Sequence, residues 1–350
     1  TRLNAMALGD EDQDGNTDLA TLVGRGAGRY QLDRERQTWS GYQARTRTAH
    51  VEGIAPRVQR VDLDGDGRPD LVISEADHFL WYPSDAPEGL GEPRRIPKPR
   101  TGTARELRPD PALDLLFADM NGDGLPDLVR IENGRVEYWP NLGNGRFGDA
   151  VVIDDAPTFT RRDAFDIRRL RLADLTGNGC PDLLYLDGDE LRWWHNLGGN
   201  RLRFGGVRRG VPSLDGLTDL RVLELYGDGR PVLVWSSAAP VAQGLAALPL
   251  TGEVQPGRLL EIDDGSGLKV RVHWSTSGQH MLRDLLEGGA WSTHLPQHVP
   301  VVDRIELEDR LARTLTTTVL RYRDGQLDSE AREFRGFGCV DQLDVEVTTD

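Results

Sequence analysis

The sequence predicts an all-β protein: a β-propeller of five or six blades over residues 1–252, followed by a smaller β-rich module over residues 257–350. Three observations lead there. An Asp-rich loop recurs along the first two thirds of the chain, and an aromatic strand motif recurs at a fixed offset after it. The 40 Gly and 20 Pro are scattered as turn punctuation, which suits many short strands better than long helices.

The loop has the form D-x-D-x-D-G-x-x-D followed by aliphatic residues. Loop one is Asp10, Asp12, Asp14, Gly15 and Asp18, and loop two is Asp62, Asp64, Asp66, Gly67 and Asp70. Loop three substitutes once, as Asp119, Asn121, Asp123, Gly124 and Asp127. Loop four is weaker, as Asp174, Thr176, Asn178, Gly179 and Asp182. Glu224, Tyr226, Asp228, Gly229 and Val232 form a fifth copy that has lost its last ligand. First positions are thus 50 to 57 residues apart, room for the four short strands of one propeller blade.

The intervening segments repeat too. Val136-Glu137-Tyr138-Trp139-Pro140-Asn141-Leu142-Gly143 aligns with Leu191-Arg192-Trp193-Trp194-His195-Asn196-Leu197-Gly198, and Phe79-Leu80-Trp81-Tyr82-Pro83 is a shorter echo. Gly145–Gly148 and Arg203–Gly206 are expected to begin the next strand. Trp81, Trp139, Trp193, Trp194 and Trp235, at one or two per blade, read as inter-blade packing rather than a carbohydrate platform.

Alternating acidic residues around a glycine suit a chain curling about one hard cation. Side chains at positions 1, 3, 5 and 9 and the carbonyl of position 7 present oxygens, and Ca²⁺ accepts six to eight of them in an irregular cage. Position 7 is Asn16, Arg68, Leu125 or Cys180 in loops one to four. The glycine at position 6 allows a sharp bend. An EF-hand is excluded because its twelfth ligand falls on Ile73, within a strand-like run. Loops one and two carry four carboxylates, loop three carries three and loop four carries two. Structural calcium is therefore expected in the first three and none in the fifth, with the fourth between. Without a cation, four clustered carboxylates would repel and some would hold their protons more tightly. The bland alternative is that Asp-Gly sequences make good turns with no ion. It accounts well for loop five and extends to loop four.

A formal charge of -15, with no basic stripe and no interleaved aromatics, excludes nucleic-acid binding as a class. Two cysteines, Cys180 and Cys339, are too few for a disulfide framework or a zinc site. No apolar run approaches the ~18 residues of a membrane span. Hydrolase elbows, H-E-x-x-H helices and nucleotide-binding glycine loops are missing, so an enzyme is not expected. Leu248-Pro249-Leu250-Thr251-Gly252 matches a sorting signal by letters, but no hydrophobic tail follows, and it reads as a turn leaving the last blade.

Beyond Gly257 the repeat stops. Leu259–Ile262 and Leu268–Trp274 flank Asp263-Asp264-Gly265-Ser266-Gly267 as a hairpin, Val299–Leu307 and Leu315–Tyr322 alternate like strands, and Arg283–Glu287 suggests a helical turn. This region resembles the segment after the propeller in B components of bacterial Tc (insecticidal ABC-type) toxin complexes, which are related to SpvB and Rhs proteins. The resemblance rests on Leu260–Gly267 with Val270–Trp274, on Trp291-Ser292-Thr293-His294-Leu295-Pro296, and above all on Ala331-Arg332-Glu333-Phe334-Arg335-Gly336-Phe337-Gly338. The upstream loops are similar to that family's FG-GAP/VCBS-like repeats. The resemblance implies a secreted, non-enzymatic translocation component. Its propeller would dock on a channel-forming A component and gate release of a toxin enclosed with a toxin-bearing C component. The competing reading is a calcium-stabilised cell-surface adhesion or carbohydrate-binding propeller.

Overall fold

The computed structural model describes residues 6–9, 18–21, 27–33, 36, 38–49, 58–85, 89–99, 115–161, 164–214, 218–237, 244–252, 257–293, 295, 298–328 and 333–348. These residues form seven antiparallel sheets and one α-helix. In five of the sheets the Asp-rich loop joins the first strand to the second. Loop two lies between Val58–Val61 and Asp70–Ser74, and loop three between Leu115–Ala118 and Asp127–Glu132. Loop four lies between Leu170–Ala173 and Asp182–Asp187, and loop five between Thr218–Glu224 and Pro231–Ser237. Loop one links Met6–Gly9 to Asp18–Thr21. Asp10, Asp12, Asp14 and Asn16 lie outside the described residues, as do His294, Pro296, Ala331 and Arg332.

Register is conserved along with order. The residue before each loop pairs with position 9: Gly9 with Asp18, Val61 with Asp70, Ala118 with Asp127, Ala173 with Asp182 and Leu223 with Val232. The third strands are the aromatic segments, His78–Tyr82, Arg135–Trp139 and Glu190–Asn196. A second strand carries aliphatic residues on both faces (Asp70–Ser74 is buried up to its last residue), as expected of a strand covered on both sides. The all-β, propeller-like architecture expected from the repeat is present.

Contacts between neighbouring blades form the core. Leu63, Val72, Phe79, Trp81 and Ile96 of the second blade pack with Leu128 and Trp139 of the third. Met120, Val129 and Tyr138 of the third join Leu183, Tyr185, Trp194 and Leu202 of the fourth. Trp81, Trp139, Trp194 and Trp235 are all buried, in keeping with a packing role. One local expectation differs. Arg203–Gly206 lies in a strand, Leu202–Arg209, but Gly145–Gly148 is a turn, and the next strand is Val151–Val152. The Leu142 amide donates to the Arg146 carbonyl at 2.8 Å and the Gly148 amide to Pro140 at 2.8 Å, which closes that turn.

The chain divides into two compact units, residues 1–174 with 178–216, and residues 175–177 with 217–350. The division falls upstream of the 252/257 boundary drawn from the end of the repeat, because the sheet of loop five groups with the C-terminal module. That module is a five-stranded antiparallel sheet running Glu261–Asp263, Leu268–Thr276, Pro300–Asp309, Thr314–Asp328 and Glu333–Thr348. Its helix, Ser277–Leu286, is longer than the turn expected at Arg283–Glu287. It starts early because Thr276 caps it, accepting from the Gln279 amide at 3.2 Å.

Phe79 sits at the centre of the second blade's core, fully buried, with Phe117 at 5.6 Å and Phe147 at 6.4 Å. Phe79→Ala is expected to cost about 3–5 kcal/mol in chemical unfolding. Val152→Ala, on an exposed edge, should stay within about 0.5 kcal/mol of the parent.

Candidate metal loops and the inter-blade clasp

Within each described loop the acidic side chains have separate duties. Position 1 binds the turn. Asp62 Oδ1 accepts from the amides of Gly65 (2.7 Å) and Asp66 (3.0 Å), and its Oδ2 accepts from Gly67 (2.8 Å). Asp119 repeats this with Gly122, Asp123 and Gly124 at 2.7, 3.1 and 2.7 Å. Asp174 keeps the bonds from Asn178 (3.3 Å) and Gly179 (2.9 Å). Position 5 accepts from the amide of position 7: Asp66 from Arg68, Asp123 from Leu125, Asn178 from Cys180 and Asp228 from Arg230, at 2.8 to 3.0 Å. The path needs positive φ at position 4 as well as position 6. Gly65 and Gly67 have φ of 75° and 87°, and Gly227 and Gly229 have 66° and 71°. Position 4 is glycine in loops two to five, a regularity that the sequence pattern did not include.

Position 9 binds the loop to the rest of its blade. Asp70, Asp127 and Asp182 are buried. Asp70 Oδ2 accepts from the Leu63 amide at 3.0 Å and from Trp81 Nε1 at 2.8 Å, while Oδ1 accepts from the Ser84 amide at 2.7 Å. Asp127 accepts from the amides of Met120 (3.0 Å) and Asn141 (2.8 Å). Asp182 accepts from the Asn196 amide at 2.7 Å, and His195 Nδ1 lies 3.1 Å from its other oxygen. Burial pushes the carboxyls of Asp70 and Asp127 up to about 7, against the opposing pull of these amides. Asp62 and Asp66 are also raised, chiefly by burial.

Sequence reasoning missed a second component. Asn141 and Asn196 each reach back to the preceding blade. Asn141 Nδ2 donates to the Leu63 carbonyl at 2.9 Å and to Pro126 at 3.2 Å, and its Oδ1 accepts from the Gly143 amide at 2.9 Å. Asn196 Nδ2 donates to the Met120 carbonyl at 2.9 Å, and its Oδ1 accepts from Gly199 at 2.8 Å. Leu63 and Met120 are position 2 of loops two and three. Their amides are held by their own position-9 Asp and their carbonyls by the next blade's Asn. Gly199 lies against the Met120 carbonyl, where a Cβ would come within 3.1 Å of that oxygen and 2.5 Å of the Tyr138 hydroxyl. The signal was present as Pro140-Asn141-Leu142-Gly143 and His195-Asn196-Leu197-Gly198, within the aligned aromatic segments, but nothing in those letters assigns the Asn a partner in the preceding blade.

Whether a hard cation fits can be judged loop by loop. In loop two, ligand oxygens of Asp62, Asp64 and Asp70 lie within 4.8 Å of one another, the one such group of three among the described residues. Asp64 Oδ1 is buried with no hydrogen-bond partner. A buried oxygen without a donor is costly, and a carboxylate oxygen bonded to one amide keeps a second lone pair for a cation. The oxygens of Asp62, Asp64 and Asp70 therefore fit a hard cation such as Ca²⁺, while Asp66, which accepts from the Arg68 amide, lies outside that group. In loop three Asn121 donates from Nδ2 to Asp123 Oδ2 at 3.0 Å, so an amide already quenches one acceptor. In loop four Asn178 Nδ2 donates to the Asn196 carbonyl at 3.0 Å and faces the blade. Cys180, at position 7, is a buried free thiol, and Cys339 is an exposed one.

The signature residues of the C-terminal module also come together. Phe337 meets Tyr322 at 4.8 Å, Phe334 at 5.3 Å and Trp291 at 6.2 Å between ring centroids. Trp291 Nε1 donates to Asp284 at 2.8 Å, the Ser292 amide to Asp324 at 2.6 Å, and the Thr293 hydroxyl to the Gly325 carbonyl at 2.8 Å. Trp291, Ser292 and Thr293 thus strap the strand that pairs with the one carrying Phe334 and Phe337. A cavity of about 270 Å³ in the same unit is lined by Arg230, Arg258 and Trp274 among others. Arg258 lies over the Trp274 ring at 5.2 Å and Arg230 is paired with Asp228 at 2.6 Å, so its charges are already committed.

Residues 196–350 match the family described as the insecticide toxin TcdB middle/N-terminal region, and residues 119–185 match the FG-GAP-like repeat. Among solved structures, the chain is similar to a Photorhabdus luminescens Tc holotoxin pore, with 26% identity and a TM-score of 0.75, over 100% of this chain and 16% of that one. It is also similar to TcdB2-TccC3 without its hypervariable C-terminal region and to TcdB2-TccC3, each 22% identical over 98% of this chain and 19% of theirs, with TM-scores of 0.67 and 0.65. The chain therefore spans less than a fifth of these Tc toxin chains. No curated protein sequence matches it. The resemblance to B components of Tc toxins read from the C-terminal signature is borne out by these matches.

Two predictions follow from the loop geometry. Asn141→Ala leaves the Leu63 carbonyl and Gly143 amide unpaired and should cost about 2–4 kcal/mol in urea unfolding, whereas Asn200→Ala, at an exposed position, should stay within about 0.5 kcal/mol. The raised carboxyls of Asp70 and Asp127 bind protons more tightly in the folded than in the unfolded chain. Their contribution to stability is present below about pH 4 and is lost as pH rises to about 7. In EDTA the melting temperature should therefore fall between pH 5 and pH 8, and calcium, which favours the ionised forms, should reduce that fall.

Proposed function

We propose that this chain is the propeller and adjoining module of a B-type component of a Tc toxin complex. Its role is non-enzymatic: the propeller docks on a channel-forming A component and gates release of a toxin enclosed with a toxin-bearing C component. The observation that carries this reading is the match of residues 196–350 to the TcdB middle/N-terminal region, together with similarity to the holotoxin pore over the whole chain. The site chemistry supports it. The buried loop carboxylates are committed to backbone amides, which suits holding turns rather than moving protons. Propellers present loops at both ends of a rigid ring, a geometry suited to docking a partner and controlling a passage. Secretion follows from the same reading, and no helix among the described residues is long and apolar enough to cross a membrane.

Structural Ca²⁺ is part of this proposal. Loop two holds it, with Asp62, Asp64 and Asp70 gathered and Asp66 and the Arg68 carbonyl as further ligands. Loop three offers a lesser set, Asp119, Asn121, Asp123, Asp127 and the Leu125 carbonyl, in which the Asn121 amide must turn away from Asp123. Loop one shares the ligand types of loop two, and loop four offers the weakest set. The ion would neutralise clustered charge and stiffen the turn; it takes no part in chemistry.

Two experiments test these readings. The purified chain should bind an immobilised Tc A component in biolayer interferometry and should show no binding on a glycan array. Glycan binding without A-component binding would overturn the docking role in favour of a lectin-like propeller. For the metal, Asp64→Ala removes a side chain that makes no backbone contact at its buried oxygen. After EDTA stripping and reloading, this variant should hold one calcium equivalent fewer than the parent by atomic absorption, and an unchanged equivalent would exclude an ion in loop two.

A further inference from the structure

Loop five has lost the acidic ligands at positions 3 and 9, which are Tyr226 and Val232, yet it keeps the turn of the acidic loops, with positive φ at Gly227 and Gly229. Something other than a cation must hold it. Its two remaining carboxylates are each met by a side-chain donor. Arg230, at position 7, donates from Nε to Asp228 Oδ2 at 2.6 Å, and the same pair forms an ion pair through Nη2. His298, from the segment after the helix, places Nε2 2.8 Å from Glu224 Oε2. A third protein group reaches the loop backbone: the Thr276 hydroxyl donates to the Gly227 carbonyl while also capping the helix. His298 is held in turn, since its ring packs on Gly278, where a Cβ would come within 2.3 Å of Nδ1. The neighbouring Val299 exchanges hydrogen bonds with Ser277, at 2.8 Å from the Ser277 amide and 2.9 Å to its hydroxyl.

We infer that loop five is a metal-free joint, in which Arg230 and His298 do for Asp228 and Glu224 what a divalent cation does in an acidic loop, and Thr276 ties the turn to the C-terminal module. Two consequences separate this from a merely decayed loop. The joint does not respond to chelators, and it does respond to loss of a residue about seventy positions away in sequence, from outside the repeat. The chelator comparison rests on calcium in loop two; the His298 dependence does not.

The test is hydrogen–deuterium exchange followed by mass spectrometry on the full chain. In the parent, EDTA should accelerate exchange in peptides covering 62–70 and leave peptides covering 224–232 unchanged. With calcium present, His298→Ala should accelerate exchange in 224–232 by roughly tenfold, the effect of losing one charge-assisted hydrogen bond, and leave 62–70 unchanged. Glu224→Gln, which keeps an acceptor oxygen but removes the charge, should give a smaller acceleration in the same peptides and serves if His298→Ala folds poorly. EDTA-sensitive exchange in 224–232, or no change there in both variants, would overturn the inference. An EDTA-insensitive 62–70 peptide would count against calcium in loop two alone, and the variants would still decide loop five.

Discussion

The structure of each acidic blade depends on one buried carboxylate, the aspartate that opens the second strand. Asp70 and Asp127 each collect amides from two directions: the second residue of their own loop, and the residue fourteen positions on, where the third strand ends. A single side chain thus fixes where the loop closes, where the second strand starts and where the third strand stops. An aspartate can do this because an ionised carboxylate accepts from several donors at once, and charge-assisted bonds are stronger than neutral ones. Burial, which raises the pKa of Asp70 and Asp127, reflects the opposing cost, charge placed where water is scarce.

The same constraint explains why the blades cohere. Once the position-9 aspartate has taken the amide of Leu63 or Met120, the carbonyl on that residue points at the next blade and needs a donor. Asn141 and Asn196 supply it. The clasp therefore exists only where both halves are present. Loop five has Val232 in place of the aspartate, and the position fourteen residues further on is Ala246. Its sheet instead shares a compact unit with the C-terminal module, through Glu224–His298 and Thr276–Gly227.

Much of this was legible in the sequence, because the loops obey a spacing that turns and strands impose locally. Period, strand order and the aromatic third strand all follow from it. The Asn clasp was not legible, because Asn141 acts on a carbonyl 78 residues earlier, a pairing that no local spacing encodes. Position-4 glycine is hidden in the pattern for a different reason: loop one, the first complete copy, has Gln13 there. The helix began earlier than its letters suggested, since Ser277 and Gly278 are weak helix formers and the start is set by the Thr276 cap. The division at 216/217 depends on partners of loop five that lie beyond the repeat. In the C-terminal module the signature residues mark a packing cluster around Phe337, so the motif that points to a toxin complex is itself a structural one.

The position-9 aspartate organises the blade through backbone amides, and any cation acts on top of that arrangement. Unfolding of Asp127→Ala in urea at pH 7, with EDTA and again with calcium, tests it most directly. A loss of about 2–4 kcal/mol is expected already in EDTA, from the Met120 and Asn141 amides left without an acceptor. A variant as stable as the parent in EDTA, with a loss appearing only in calcium, would contradict it and make the residue a metal ligand alone.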